Sequence, residues 1–186
     1  MLGMFIQTES TPNPETLKFL PGVMVMESGT LSVTDSKSAA SMPLAGGLFA
    51  IDGVTGVFFG SDFVTVTKSE DISWDALKPS ILAEIMDFFV SGGKVEAATS
   101  ALAAYSDAEL SDIEKQIVEL IETRVRPAVA MDGGDIIYKS FVDGVVRLEL
   151  HGACSGCPSS SATLKSGIEN MLKHYVPEVI AVEAVN

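Results

Sequence analysis

Apolar and polar positions alternate most regularly in the C-terminal half of the chain. The runs DIIYKSFV and VVRLELH flank Asp143–Gly144, a residue pair typical of two-residue hairpin turns, and predict two antiparallel strands. Ahead of them, apolar residues recur at a helical spacing: Leu110, Ile113, Ile117, Leu120 and Ile121. We predict a helix here that begins at a capping box, Ser106 to Glu109, and that Pro127 interrupts or ends.

A second helix and a third strand are predicted after this hairpin. Pro158 suits the first turn of a helix, and Val176–Pro177 would stop it. The apolar stripe of this helix consists of Leu164, Ile168, Met171, Leu172 and Tyr175. Val179–Val185 then alternates as a strand does, so the predicted order is α-β-β-(CxxC loop)-α-β, with a cysteine-containing loop ahead of the second helix.

The N-terminal half combines strand and helix patterns as well. Short strands are predicted at Met4–Thr8 and Thr16–Leu20, on either side of the turn TPNPE. The runs VTGVFFG and DFVTVTK predict a further hairpin, and a short helix is expected after an N-cap at Ser41. A longer helix should follow Ser73, with an apolar stripe at helical spacing: Leu77, Ile81, Ile85 and Phe88.

A change of composition separates the two halves. The stretch from Ser91 to Asp107 is rich in Ala, Ser and Gly, which is typical of a flexible linker. A chain of 186 residues is long enough for two small domains. The predicted fold class is therefore α+β, with two small α+β domains: an N-terminal domain at residues 1–90, a linker at 91–106 and a C-terminal domain at 107–186.

Net charge and hydropathy narrow the range of functions. The formal net charge is -13, so neither nucleic acid nor an anionic membrane is an expected partner, because phosphate binding needs clustered Lys and Arg. Apolar stretches such as AIDGVTGVFF are shorter than the roughly 20 residues that span a bilayer. The N-terminal residues MLGMFIQTES lack the features of a targeting segment. The expected location is cytoplasmic, or the mitochondrial matrix if the chain is a mature form.

The chain has two cysteines, Cys154 and Cys157, both in the loop GACSGCPSS. A loop that ends a strand and starts a helix places thiols near unpaired N–H groups and the positive end of the helix dipole. We therefore expect a lowered pKa for both thiols. Two thiolates at this spacing make half of a four-coordinate metal site.

Three chemistries fit such a C-x-x-C pair. A thiol–disulfide oxidoreductase requires a βαβ unit nearby, whereas an antiparallel hairpin precedes this pair and Pro158 follows it. A zinc site would recruit His151 as a third ligand, although we interpret His151 as a strand-end side chain and His174 as a helix C-terminal one. An iron–sulfur cluster takes four cysteine thiolates, and two copies of the chain about a two-fold axis supply four.

Several segments resemble a known family. MDGGDI, then FVDGVVRLELHGACSGCPSSSATLKSGIENML and VPEVIAVEAV, closely resemble the NifU C-terminal-like (Nfu) domain. MFIQTESTPNPETLKFLPG, PLAGGLF and GVTGVFFGSDFVTVTK resemble the Nfu N-terminal domain. The resemblance implies a carrier or scaffold of [4Fe-4S] clusters in cluster biogenesis. It also implies that Cys154 and Cys157 are the ligands and that two protomers share the cluster.

The same resemblance implies partners. Upstream assembly factors would supply the cluster, apo iron–sulfur proteins would receive it, and the loaded form would be a homodimer. In the family, the N-terminal domain does not bind the cluster and is thought to assist partner recognition. No nucleophile–base pair or paired acid stands out in the sequence, so we predict no enzymatic turnover.

Two glycine-containing segments have structural interpretations. The segment Asp132–Asp135, DGGD, is predicted to connect a helix to a strand, with glycines at positive φ and aspartates that bond to nearby backbone. Gly46–Gly47 departs from the longer polar residues that we expect in relatives. Because glycine weakens a helix, this pair lowers the expected stability of the short helix that contains it.

Overall fold

The structure is a computed structural model that describes residues 5–27, 29–96, 110–155 and 158–185. The chain divides into two compact units, 1–100 and 101–186. Each unit packs helices and a sheet around an apolar core of its own, which confirms the predicted α+β class. Residues 97–106 of the predicted linker lie outside the described residues.

The described part of the N-terminal unit has five strands and three helices. In chain order they are β1 (Gln7–Ser10), β2 (Thr16–Leu20), β3 (Leu31–Val33), α1 (Ser36–Ala39), α2 (Pro43–Phe49), β4 (Val54–Phe59), β5 (Val64–Lys68) and α3 (Trp74–Val90). The strands form one antiparallel sheet in the order β1-β2-β5-β4-β3. Leu77, Ile81 and Ile85 of α3 are buried in the core, as their helical spacing predicted.

Most strand predictions for this unit are confirmed. Strand β2 has its predicted bounds, and β4 and β5 form the predicted hairpin. Strand β1 lies further along the chain than predicted, because its pairing with β2 is set by the intervening turn. Thr11 holds this turn, since its Oγ1 donates to the carbonyl oxygens of Asn13 (2.9 Å) and Thr16 (2.8 Å). The short elements β3 and α1 were not predicted.

The short helix α2 forms where it was predicted, but its N-cap is Met42 rather than Ser41. The Ser41 hydroxyl donates instead to the carbonyl oxygen of Ser38, 2.9 Å away. Both glycines lie inside α2. A Cβ at Gly47 would overlap the end of the Glu84 side chain on α3, a flexible group that can move aside, so this contact does not require glycine.

The described part of the C-terminal unit consists of helices and a three-stranded sheet. In chain order its elements are α4 (Asp112–Leu120), a π-helical segment (Ile121–Val125), α5 (Arg126–Met131), β6 (Gly134–Val142), β7 (Val145–Gly152), α6 (Pro158–Tyr175) and β8 (Ala181–Val185). The strand order is β6-β7-β8. Strands β6 and β7 form the predicted hairpin, and its turn residues Asp143 and Gly144 have φ of 53° and 79°, as a two-residue type I′ turn requires.

Strand β8 pairs with β7 in parallel, with Val145 opposite Ala181. Two parallel neighbours need a crossover connection, and here α6 supplies it. The segment β7-α6-β8 is therefore a βαβ unit, and the cysteine loop lies at its strand-to-helix junction.

The first helix of this unit begins later than predicted. Its N-cap is Ser111, whose Oγ accepts a hydrogen bond from the Glu114 amide at 3.3 Å, while the Glu114 carboxylate accepts one from the Ser111 amide at 2.9 Å. These reciprocal bonds are a capping box. The predicted box, Ser106 to Glu109, lies outside the described residues, and Leu110 precedes the helix instead of belonging to its apolar stripe.

We expect Ser111→Ala to destabilise the C-terminal unit by about 1 kcal/mol at neutral pH, because the mutation removes a capping oxygen. Hydrogen bonds from Ser111 and Tyr138 lower the pKa of Glu114, so its contribution is present above the ordinary glutamate pKa and is lost as pH falls through the folded-state pKa. The difference from wild type should therefore shrink on acidification. Urea denaturation followed by circular dichroism measures this difference.

The fluorescence of Trp74, the one tryptophan in the sequence, is the internal control for that experiment because it reports on the N-terminal unit. Its unfolding transition should not move in the Ser111 variant. An equal loss of stability at pH 3 and pH 7 would contradict the assigned role of the Glu114 carboxylate.

Pro127 interrupts the first helix without ending it. Proline lacks a backbone N–H and cannot form the usual helical hydrogen bond. The π-helical segment directly ahead of α5 accommodates this missing bond, and the helix continues to Met131. Ile121 and Val125 of the π-helical segment are both buried. The change of helix type therefore keeps the apolar side of the helix on the core.

Helix α6 begins at Pro158 as predicted, with Ile168 and Leu172 buried. The inclusion of Tyr175 in its buried stripe was wrong, since this side chain is 46% exposed. Its ring lies instead 4.9 Å from the guanidinium carbon of Arg124, at the end of the helix. Across the described residues, no helix, α6 included, is long and apolar enough to cross a bilayer.

Candidate functional site

The cysteine loop leaves β7 at Gly152, whose φ of 62° turns the chain away from the strand. Backbone bonds then hold the first part of the loop: the Cys154 amide donates to the His151 carbonyl oxygen at 3.3 Å, and the Ser155 amide donates to that of Gly152 at 3.1 Å. The Ser155 hydroxyl donates to the same Gly152 oxygen at 2.9 Å. Cys154 is thus fixed by a local turn, whereas Cys157 lies outside the described residues.

Cys154 is buried, with 6% of its surface exposed. Burial, with smaller effects from the negative charges of Asp132 and Asp135, raises the pKa of the Cys154 thiol to about 12. The prediction of a lowered pKa was wrong for this residue. Helix α6 begins only at Pro158, and the sulfur is packed in the apolar core of the unit, where a charged thiolate is disfavoured.

Gly134, the first residue of β6, forms the floor beneath Cys154. A Cβ on Gly134 would overlap the Cys154 sulfur and would lie 2.9 Å from the His151 carbonyl oxygen and 3.0 Å from the Cys154 nitrogen. The preceding Gly133 has a φ of 80° and accepts a hydrogen bond from the Ala153 amide at 3.2 Å. The DGGD segment therefore connects α5 to β6 as predicted and also supports the cysteine loop.

Asp135, the second acid of that segment, is 2% exposed. Its two carboxylate oxygens accept from Arg126 Nε and Nη2, each at 2.8 Å, and Oδ1 also accepts from the Ile136 amide at 2.8 Å. A buried carboxylate is stable only when it is paired in this way, and removal of one partner of such a pair costs about 3–5 kcal/mol. The hydrogen-bonded carboxylate raises the pKa of the Arg126 guanidinium, so this side chain stays charged.

Arg126 was not predicted to belong to the site. It is the basic residue at the start of α5, the helix that directly precedes DGGD. Its Nη1 also contacts both carboxylate oxygens of Glu122, at 2.9 and 2.8 Å, one helical turn earlier.

His151 lies on β7 with its Cα opposite that of Asp135 on β6. Its Nε2 is 3.3 Å from Glu149 Oε1, but is not oriented to form a hydrogen bond. Burial lowers the pKa of His151, and the nearby Glu149 carboxylate partly opposes this effect, so the contact at neutral pH involves a neutral imidazole. Its interpretation as a strand-end side chain is confirmed. His174 lies in the last turn of α6, edge-on to the ring of Tyr175.

A zinc site receives no support from this part of the chain. In the described ranges, no three His, Cys, Asp or Glu side chains are grouped so that they could hold a metal ion. His151 and Cys154 alone leave such a site incomplete.

The absence of a βαβ unit was the wrong reason to exclude a thiol–disulfide oxidoreductase. Sequence reasoning found no βαβ unit near the cysteines, but β7, α6 and β8 form one. The thiol itself argues against this chemistry on other grounds: a redox-active cysteine is accessible and has a lowered pKa, whereas Cys154 is buried and its pKa is raised.

The fold and the loop together define a class: an α+β chain of two units, the second of which has a cysteine loop at the strand-to-helix junction of a βαβ unit. Two family models match the chain in order. "Scaffold protein Nfu/NifU N terminal" matches residues 6–92, and "NifU-like domain" matches residues 107–183. The chain belongs to the Nfu/NifU scaffold family, as the resemblance of its segments predicted.

Relatives match over nearly the whole chain. It is 58% identical over 185 residues to NifU-like protein 5, mitochondrial, of Arabidopsis thaliana, with 97% of this chain and 67% of that protein covered. It is 51% identical over 183 residues to the NFU1 iron-sulfur cluster scaffold homolog, mitochondrial, of Homo sapiens, with 98% and 72% covered. The chain thus spans about two thirds of the length of these relatives.

Among solved structures, a solution NMR structure of a NifU-like protein from Saccharomyces cerevisiae matches 51% of this chain and 86% of its own length. The two share 28% sequence identity, and the TM-score is 0.47.

Proposed function

We propose that the chain is an iron–sulfur cluster scaffold and carrier. In this proposal a [4Fe-4S] cluster is bound between two protomers, each of which contributes Cys154 and Cys157, and is then passed to apo-proteins. The observation that carries the proposal is the cysteine loop itself, placed on the DGGD floor within a NifU-like domain. The human relative that is 51% identical to this chain is named an iron–sulfur cluster scaffold homolog.

The donor atoms suit such a cargo. Iron–sulfur clusters are held by cysteine thiolates, and a [4Fe-4S] cluster takes four of them. One chain has two cysteines, so a second copy about a two-fold axis completes the set. Cys154 must lose its proton to bind iron, and metal binding supplies the free energy for that step.

Two ligands from each chain also suit release. A cluster held at a subunit interface is lost when the two copies separate, so it passes readily to a recipient that offers more thiolates. The partners proposed are upstream assembly factors, which supply the cluster, and apo iron–sulfur proteins, which receive it. Transfer of this kind exchanges the cysteine thiolates that bind the iron and leaves the iron–sulfide core unchanged, so we propose no enzymatic activity.

The proposed compartment follows the relatives. Both the plant and the human relative are named as mitochondrial proteins. This agrees with the alternative of the mitochondrial matrix and gives no support to the cytoplasmic expectation.

Metal analysis of protein purified without oxygen tests the proposed function. We expect iron and acid-labile sulfide, broad visible absorption after anaerobic reconstitution, and about two chains per four-iron cluster. The mass of the loaded species distinguishes a [4Fe-4S] cluster shared by two chains from a [2Fe-2S] cluster held by one chain, because both give the same iron and sulfide content per chain. Zinc without acid-labile sulfide would overturn the proposal.

A further inference from the structure

The DGGD segment has a feature that the proposed function does not use: Asp135 is a buried acid one residue beyond the floor of the cysteine loop. Its carboxylate faces away from bulk water and accepts hydrogen bonds from Arg126 at 2.8 Å on each oxygen. Among the described residues, Arg126 is the cation that pairs with it. This pair joins the beginning of α5 to the beginning of β6.

Arg126 is itself held in place. Its Nη1 bonds to both oxygens of Glu122, so the guanidinium is fixed on one side by its own helix and reaches Asp135 with its other edge. A bidentate guanidinium–carboxylate pair sets both distance and orientation, which the point charge of a lysine would not do. The link between helix and strand is therefore a rigid one.

The strand that this link fixes is the one against which Cys154 packs. Gly134 precedes Asp135 directly and leaves no room for a Cβ beneath the Cys154 sulfur. Across the hairpin, Gly134 lies opposite Gly152, and Asp135 opposite His151. A shift at Asp135 would thus move the floor and the start of the turn that holds Cys154.

We propose that the Arg126–Asp135 pair is a positioning device for cluster ligation: it holds the start of β6 against the cysteine loop and so sets where the Cys154 sulfur lies. This inference rests on the proposed function for its biological meaning. The geometric part stands without it, because the burial of Cys154 can be measured in the protein that carries no cluster.

Two measurements on the full chain test this role. The first is the rate of Cys154 alkylation by iodoacetamide under native conditions, in a Cys157→Ser background where Cys154 is the remaining thiol. The second is the rate of cluster loss to an iron chelator with both cysteines present. For Arg126→Lys, which keeps the charge and loses the bidentate geometry, we expect both rates to rise about tenfold.

Two controls separate positioning from general stability. Arg147→Lys makes the same change in an exposed ion pair with Glu183 and should leave both rates within about twofold. Val182 lies in the core beside the hairpin turn and away from the cysteine loop. Val182→Ala removes volume there and so provides a variant with a lowered melting temperature. Rates are compared at temperatures equally far below each melting temperature.

Each outcome decides between the two roles. Faster alkylation and faster cluster loss in Arg126→Lys, but not in Val182→Ala, support the positioning role. Unchanged rates in a folded Arg126→Lys, or equal changes in Val182→Ala, overturn it and leave the pair a structural one. If the wild-type chain takes up no cluster, the proposed function fails while the alkylation experiment still decides the geometric claim.

Discussion

Serine in place of Cys154 is expected to abolish cluster binding. The hydroxyl of serine does not ionise near neutral pH and is a poor ligand for iron in a sulfide cluster, which prefers thiolate. Because two copies share one cluster in the proposed function, a single substitution removes two of the four ligands. Iron and acid-labile sulfide per chain after anaerobic reconstitution measure the effect, and Cys157→Ser should give the same result.

Folding must be separated from ligation in this experiment, because Cys154 is buried. A serine hydroxyl in its place costs about 1–3 kcal/mol if it finds no hydrogen-bond partner. Cys154→Ala avoids the buried hydroxyl and should lose the cluster as completely. Ser166→Ala is the control, since it removes an exposed side-chain hydrogen bond to the Ala162 carbonyl oxygen on α6 and should retain the cluster. Full cluster content in Cys154→Ala would show that the ligands lie elsewhere.

The second large effect is expected at the floor of the loop. Gly134→Ala places a Cβ against the Cys154 sulfur and 2.9–3.0 Å from two backbone atoms, which cannot move without a shift of the hairpin. Overpacking of this kind costs about 1–3 kcal/mol, and here the strain also displaces a proposed ligand. We expect a lower melting temperature for the C-terminal unit and loss of most of the cluster.

Gly167→Ala is the control for that substitution. Gly167 lies within α6, and a Cβ on it has no neighbour within 4 Å. Alanine at this position should stabilise the unit by up to about 1 kcal/mol, because it improves helix propensity without a clash. The fluorescence transition of Trp74 should be unaffected by either variant. Wild-type melting and cluster content in Gly134→Ala would refute the role of a close-packed floor.

Local signals predicted most of the C-terminal unit. The hairpin turn was predictable because Asp143–Gly144 suits two residues at positive φ, and the start of α6 because proline fits a first helical turn. The helix start at Ser111 was missed for a physical reason: SDAE and SDIE have the same capping pattern. In the described structure, a tertiary hydrogen bond from Tyr138 to the Glu114 carboxylate supports the second box, and the local capping pattern does not predict this bond.

The motif of the proposed site could be read from the sequence, whereas its environment could not. The C-x-x-C motif directed attention to Cys154 because motifs of this kind depend on spacing alone. The burial of the Cys154 thiol depends on Gly134, which is distant from it in sequence. The alternating pattern of β8 does not reveal that this strand pairs in parallel. The Arg126–Asp135 pair is likewise a contact between two elements, so the sequence does not identify either residue as the partner of the other.

The burial of Cys154 has a consequence for the empty protein. Oxidants and electrophiles attack thiolates, and a thiol that is buried and uncharged at neutral pH reacts slowly with them. In the proposed function, a chain that has given up its cluster spends part of its lifetime with Cys154 free of iron. Packing Cys154 against the sheet would preserve this sulfur in its reduced form during that interval, so chemical durability between loads would follow from the same contact that positions the proposed ligand.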